Sequence, residues 1–295
     1  MPTSPHPNPF RPARGEPPPA LTFQLLGQTV RIAYADPTVA RIVTGNFAAM
    51  PAAPDNAAPD LAYAAARHPG HDAYLLHRQG RAPITAGDLC ELLFDLEKDL
   101  IVALQTRRPD LLHLHAAALA WEGRAWLLIG DSGAGKSTTT WGLLHHGLRY
   151  LSDELSPVDL ESLTVHPYPH ALCLKRRPPG PYAFPEDQVL DLGRTLHVPV
   201  AALPAEAAHA PCPLAGLIFV RHDPLLHQPV LRPLQSAEAG ARLYVTTLNA
   251  LAHSGHGLDA VASLAQRVPS WSLASAGLAD SCALVQGLMR ERRRA

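Results

Sequence analysis

Residues 130 to 137 read Gly130-Asp131-Ser132-Gly133-Ala134-Gly135-Lys136-Ser137, with the spacing Gly-x-x-x-x-Gly-Lys-Ser. That order of residue types suits one chemistry, the binding of nucleotide phosphates. Glycines let the backbone bend through left-handed turns, so that successive N–H groups converge on phosphate oxygens. Lys136 puts a compact positive charge near the β- and γ-phosphates, and the Ser137 hydroxyl can enter a Mg²⁺ shell. A helix opening at about Lys136 would turn its positive end to the same anion. The expected contact set therefore runs from Gly130 through Thr138. The alternative is an accidental glycine-rich turn. Only three lysines occur in the chain, Lys98, Lys136 and Lys175, and one of them stands where such a loop needs it.

A phosphate loop does not choose between hydrolysis, transfer and switching. The next acidic element does, and here it is Asp153-Glu154, after a helix and a short apolar strand. One carboxylate at a strand end can hold Mg²⁺, and a second can take a proton from an attacking hydroxyl. Two acids beside a triphosphate repel it unless a metal intervenes, so the pair implies Mg²⁺; the alternative is a solvent-facing pair that ends a strand. His115 sits on the preceding strand candidate and, by alternation, shares a face with His113. Either histidine could equally be a core or surface residue. Metal binding by His113 with His115, or by His145 with His146, lacks a cysteine or carboxylate partner at ligand spacing. Lys175-Arg176-Arg177 precedes a Pro/Gly loop and reads either as a phosphate-reaching group or as an ordinary charged loop.

The elements that must position these residues follow from pattern. Ala125–Ile129 is an apolar run ending at the loop, and Ser137–His146 can form a helix closed by Gly147, giving the order strand, loop, helix. Upstream, Leu111–Ala120 is one strand candidate; downstream, strands are expected at Leu148–Ser152, Leu155–Leu160, Thr164–His166, Ala171–Leu174, Leu214–Val220 and Trp271–Leu273. Helices are expected from Ser236, as its cap, to Leu248, and from about Leu278 into a basic, solvated end at Arg290–Arg294. Before Arg107, the sequence predicts a hairpin around Gly27, a helix from Pro37 and strands at Asp60–Ala66 and Ala73–His77. A capping box over Thr85–Asp88 would then open a helix, Leu89–Thr106, with its leucines in the core.

The first twenty residues contain eight prolines and almost no large apolar side chain, so they predict a disordered tail. The boundaries expected are thus a tail at 1–20, a small N-terminal α+β accessory subdomain at 21–106, and an α/β phosphate-loop domain at 107–295. Lysine plus arginine (25) nearly balances aspartate plus glutamate (26), which argues against nucleic acid or an anionic membrane as partner. Four scattered cysteines without a Cys-x-x-Cys read as reduced core thiols, and no apolar run reaches spanning length, so a cytoplasmic protein is expected.

Taken together, the loop, the acidic pair and the upstream histidine resemble the catalytic domain of the HPr kinase/phosphorylase family, whose loop reads Gly-Asp-Ser-Gly-x-Gly-Lys-Ser. Over the whole chain the likeness is to the HPr-kinase-related proteins of bacterial peptide-modification clusters. The resemblance implies a fold like that of phosphoenolpyruvate carboxykinase, ATP and Mg²⁺ as cofactors, and a peptide or small protein as acceptor, with serine the favoured hydroxyl. It implies Asp153 as catalytic base, His115 near the phosphates, and Ser137 and Glu154 toward the metal. The second family acid is Asp where this chain has Glu154, and the downstream Glu-Arg-Gly motif and HPr-contacting loop have no counterpart, which argues against HPr and against reverse phosphorolysis. A regulatory ATPase acting through protein contacts and a small-molecule kinase are the rival readings, and self-association is left open.

Overall fold

The computed structural model describes residues 18–294, so the proline-rich stretch at 1–17 lies outside the described residues. The chain divides into two compact units, Met1–Val102 and Ala103–Ala295. In the first, β1 (Ala20–Leu25) and β2 (Gln28–Tyr34) form the hairpin expected around Gly27. Asp36 caps α1 (Pro37–Phe47) by accepting the Thr38 and Val39 N–H groups at 3.0 Å. One face of α1 is buried, and its Phe47 stacks on Phe23 with centroids 5.8 Å apart. Then come β3 (Leu61–Arg67), β4 (Tyr74–Arg78) and β5 (Ile84–Ala86), completing a five-stranded sheet in the order β1-β2-β3-β4-β5. Helix α2 (Leu89–Arg107) buries Leu92, Leu93, Leu96 and Leu100, as the leucine spacing requires. Its cap lies three residues later than expected. Asp88 Oδ1 accepts the Glu91 N–H at 2.7 Å while Glu91 Oε2 accepts the Gly87 N–H at 2.6 Å, and Thr85 is spent in β5.

The second unit begins with a correction. The single strand expected over Leu111–Ala120 is two strands, β6 (Leu112–Leu114) and β7 (Ala116–Trp121), broken at His115. The histidine's N–H leaves the ladder to bond Thr246 O at 2.8 Å. Next come β8 (Arg124–Ile129), α3 (Lys136–Leu144), β9 (Arg149–Ser152), β10 (Ser156–Asp159), β11 (Thr164–Val165) and β12 (Leu172–Leu174). The C-terminal part holds β13 (Leu190–Asp191), β14 (Leu196–Val198), β15 (Cys212–His222) and β16 (Val230–Pro233). It closes with α4 (Ser236–Thr246), α5 (Leu258–Arg267), β17 (Ser270–Ser275) and α6 (Leu278–Arg294). Strands β13, β14 and β16 and helix α5 were not expected. Ser236 is the first helical residue of α4, and Gln235 stands at the cap without a side-chain bond.

The main sheet runs β6-β10-β11-β15-β8-β7-β9, with β17 beside β15 and β16 outside β17. Strand β15 is parallel to both β8 and β17, whereas β7 is antiparallel to β8 and to β9. Strand alternation divides the sheet's two faces. Leu127 and Ile129 join Leu243 of α4 and Val261 and Leu264 of α5; Trp126 and Leu128 join Trp141 of α3 and Cys282, Val285 and Met289 of α6. The result is a mixed α/β unit with helices on both faces of its sheet. All four cysteines are thiols, with Cys212 and Cys282 buried but Cys90 and Cys173 only half-buried. The basic end of α6 is partly engaged: Arg293 pairs with Glu122, and the Arg292 guanidinium lies 5.7 Å from the Trp271 ring centroid. No described helix is long and apolar enough to cross a membrane.

Candidate functional site

Strand directions decide which residues meet. Ile129, the last residue of β8, lies opposite Ala116 at the start of β7 and Phe219 near the end of β15. Ser152, the last residue of β9, pairs with Ala118, and His222 pairs with Ser275 on β17. The loop after β8, His115, Asp153-Glu154, His222 and Ser275 are thereby gathered at one edge of the sheet, where the parallel strands end. Open α/β sheets place ligands at such an edge.

The Gly130–Ser137 loop is built from close approaches that a side chain would block. A Cβ on Gly130 would lie 2.5 Å from Val220 O, and Gly133 and Gly135 take φ of 86° and 97°. Strand β15 ties the loop down through the His222 N–H, which donates to Ala134 O at 2.9 Å. The first helical bond of α3 runs from the Thr139 N–H to Gly135 O at 2.8 Å. The amides of Lys136, Ser137 and Thr138 therefore precede the helical ladder and are available to an anion. Lys136 is buried, and its Nζ donates to Gly130 O at 2.7 Å. Burial lowers the lysine's pKa, while Glu154 and Asp153 act in the opposite direction.

Asp153 is 1 % exposed. The Cys173 N–H donates to its Oδ2 at 3.2 Å, while its Oδ1 is buried with no hydrogen-bond partner among the described residues. Burial raises this carboxyl to about 6, against the opposing effects of the Ser137 hydroxyl and the Lys136 ammonium. Glu154 is half-exposed, and its Oε2 lies 3.6 Å from His115 Nε2. Burial, then the charge of Lys136, pushes His115 down to about 4. The imidazole in this contact is thus neutral near neutral pH. Below the strand end, Ser152 Oγ meets Ser156 Oγ at 3.0 Å, and Ser156 donates to Ala116 O at 2.9 Å, fixing the spacing of β7, β9 and β10.

The break at His115 separates the two histidines expected on one face. His113 is fully buried, its Nε2 3.0 Å from Arg108 O, away from the acidic pair. His145 and His146 pack around Tyr182, with His146 Nε2 2.6 Å from the tyrosine hydroxyl. Of the basic triplet, Lys175 reaches the loop and donates to Ser132 Oγ at 2.8 Å. Arg177 turns instead to Glu186 at 2.6 Å. His222 and Ser275 were missed, although both end apolar strands that pair at the loop's edge. A Cβ on Gly135 would sit 3.7 Å from His222 Cβ and 3.9 Å from Ser275 Oγ.

No protein-family model and no curated protein matches the chain. Among solved structures, the HPr(Ser) kinase/phosphatase from Coxiella burnetii is similar over 61% of this chain and 95% of its own, with 13% identity and a TM-score of 0.33.

Proposed function

We propose that the chain is an ATP- and Mg²⁺-dependent kinase of the HPr-kinase-like type, transferring the γ-phosphoryl group to a hydroxyl of a peptide or small protein, serine being favoured. The observation that carries this reading is Asp153: a buried carboxyl with one unpartnered oxygen, close to Ser137 and Lys136. Leaving that acceptor without a partner costs about 1–3 kcal/mol, which a ligand or cation at the site would recover.

The residues present fit the cation. Ser137 and Glu154 offer oxygen donors, the preference of Mg²⁺, and the buried Asp153 Oδ1 next to Ser137 has no hydrogen-bond partner among the described residues. Ser137 and Glu154 would hold it, and when bound it neutralises phosphate charge. The amides of Lys136, Ser137 and Thr138 would cradle the phosphates, and Lys136 would exchange its bond to Gly130 O for a phosphate oxygen. Asp153 would take the proton of the incoming hydroxyl, a duty for which a value near 6 is well placed. His115, neutral above pH 4, would orient Glu154 without adding charge.

Labelled ATP with Mg²⁺ and a panel of serine peptides is the test. Phosphoserine should form, and Asp153→Asn should slow transfer by about 10²-fold or more while ATP still binds. Transfer at the parent rate by that variant would sink the mechanism. Phosphate release without any acceptor would point to a regulatory ATPase, and labelling of metabolites alone to a small-molecule kinase.

A further inference from the structure

Two of the chain's three lysines end on the same eight-residue loop. Lys136 holds it from within, at Gly130 O. Lys175 comes from outside, from the exposed turn after β12, and its Nζ is 2.8 Å from Ser132 Oγ and 4.0 Å from where a Gly133 Cβ would be. The two ammonium groups thus bracket the crest of the loop, close enough for the charge of Lys175 to act on Lys136. The two like charges repel each other, a cost that Glu154, Asp153 and Asp131 offset only on the Lys136 side. An anion between them removes that cost. Strand β12 fixes the reach: the Cys173 N–H is bonded to Asp153, which ties the root of the Lys175 turn to the acidic pair.

We infer that Lys175 is a second phosphate-binding cation that closes over the outer phosphates of a bound nucleotide and makes the site selective for triphosphate over monophosphate. The inference rests on the nucleotide-binding reading above. A neighbouring residue of the same turn, Arg177, is engaged by Glu186. Lys175 is a specificity-determining residue: it contacts the phosphates directly and takes no proton.

The experiment is calorimetry of the full chain with ATP, ADP and AMP, each with Mg²⁺, on the parent, Lys175→Gln, Lys175→Arg and Lys136→Ala. Gln keeps a donor for Ser132 but drops the charge, whereas Arg keeps the charge. Expected are a loss of about 5- to 20-fold in ATP affinity for Lys175→Gln, little change for AMP, and near-parent ATP binding for Lys175→Arg. The dependence of ATP affinity on salt should also be shallower in Lys175→Gln. If Lys175→Gln binds ATP as the parent does while Lys136→Ala fails to, Lys175 merely tethers Ser132 and the inference is overturned. If the parent itself binds no ATP, the nucleotide reading falls and takes this inference with it.

Discussion

At the scale of single residues, Asp153 carries opposite signs in activity and stability. On the proposed mechanism its ionised form takes the proton, so the transfer rate should climb as pH rises through about 6 and then level off. The folded chain also binds this proton more tightly than the unfolded chain does, so between about pH 4 and 6 the stability it contributes falls as pH rises. The displacement from 3.8 to about 6 corresponds to at most about 3 kcal/mol. Asp153→Asn should therefore be more stable than the parent at pH 8, and the gain should vanish below pH 4; melting curves at the two pH values check this. Lys136→Ala should lower ATP affinity about 10- to 100-fold with the fold intact, since one charge-assisted bond is lost. That the loop and Asp153-Glu154 meet at one sheet edge was legible in the sequence from the order strand, loop, helix, strand. Lys175 was only half legible. Its neighbours Arg176 and Arg177 look alike in sequence, and only the turn decides which one faces Ser132.

At the scale of elements, the reading held for the hairpin around Gly27, for α1 and for the order β8, loop, α3. It failed where a tertiary partner intervened. The β6–β7 break is set by Thr246, far along the chain, and no local signal at His115 announces it. The cap of α2 moved because Thr85 was claimed by the β5 ladder, leaving Asp88 and Glu91 to satisfy the first amides. Helix α5 carries a legible stripe, Val261, Leu264 and Ala265, but it is short and follows an irregular stretch. Packing makes a sharper prediction at β15. A Cβ on Gly216 would lie 2.4 Å from the Trp126 ring and 2.9 Å from the Trp271 ring. These rings are buried and tilt against each other with centroids 5.7 Å apart. Gly216→Ala should cost about 1–3 kcal/mol, read as a lower denaturant midpoint.

For the whole molecule, the α/β class was legible from the order strand, loop, helix, whereas the sheet order was not, since it depends on which distant strands pair. The proline-rich start leads to a separate prediction. Removing residues 1–17 should leave melting temperature and ATP turnover nearly unchanged, because that composition cannot sustain a core. Cutting further in to Leu25 should destabilise the first unit, because Ala20–Leu25 is a paired strand whose Phe23 and Leu25 are buried. Thermal shifts of the two truncations, with ATP turnover measured on the one lacking residues 1–17, check both halves.

The contact between Gly130 and Val220 O bears on how such a chain would diverge. The first glycine of the loop is required by the neighbouring strand, whether or not a phosphate ever arrives. Gly133 and Gly135 are held by backbone angles that other residues strain to adopt. A descendant that had lost its chemistry would keep these glycines as scaffolding while Lys136, Ser137 and Asp153 drifted. In that lineage the lysine and the buried acid, not the glycines, would separate working copies from relics.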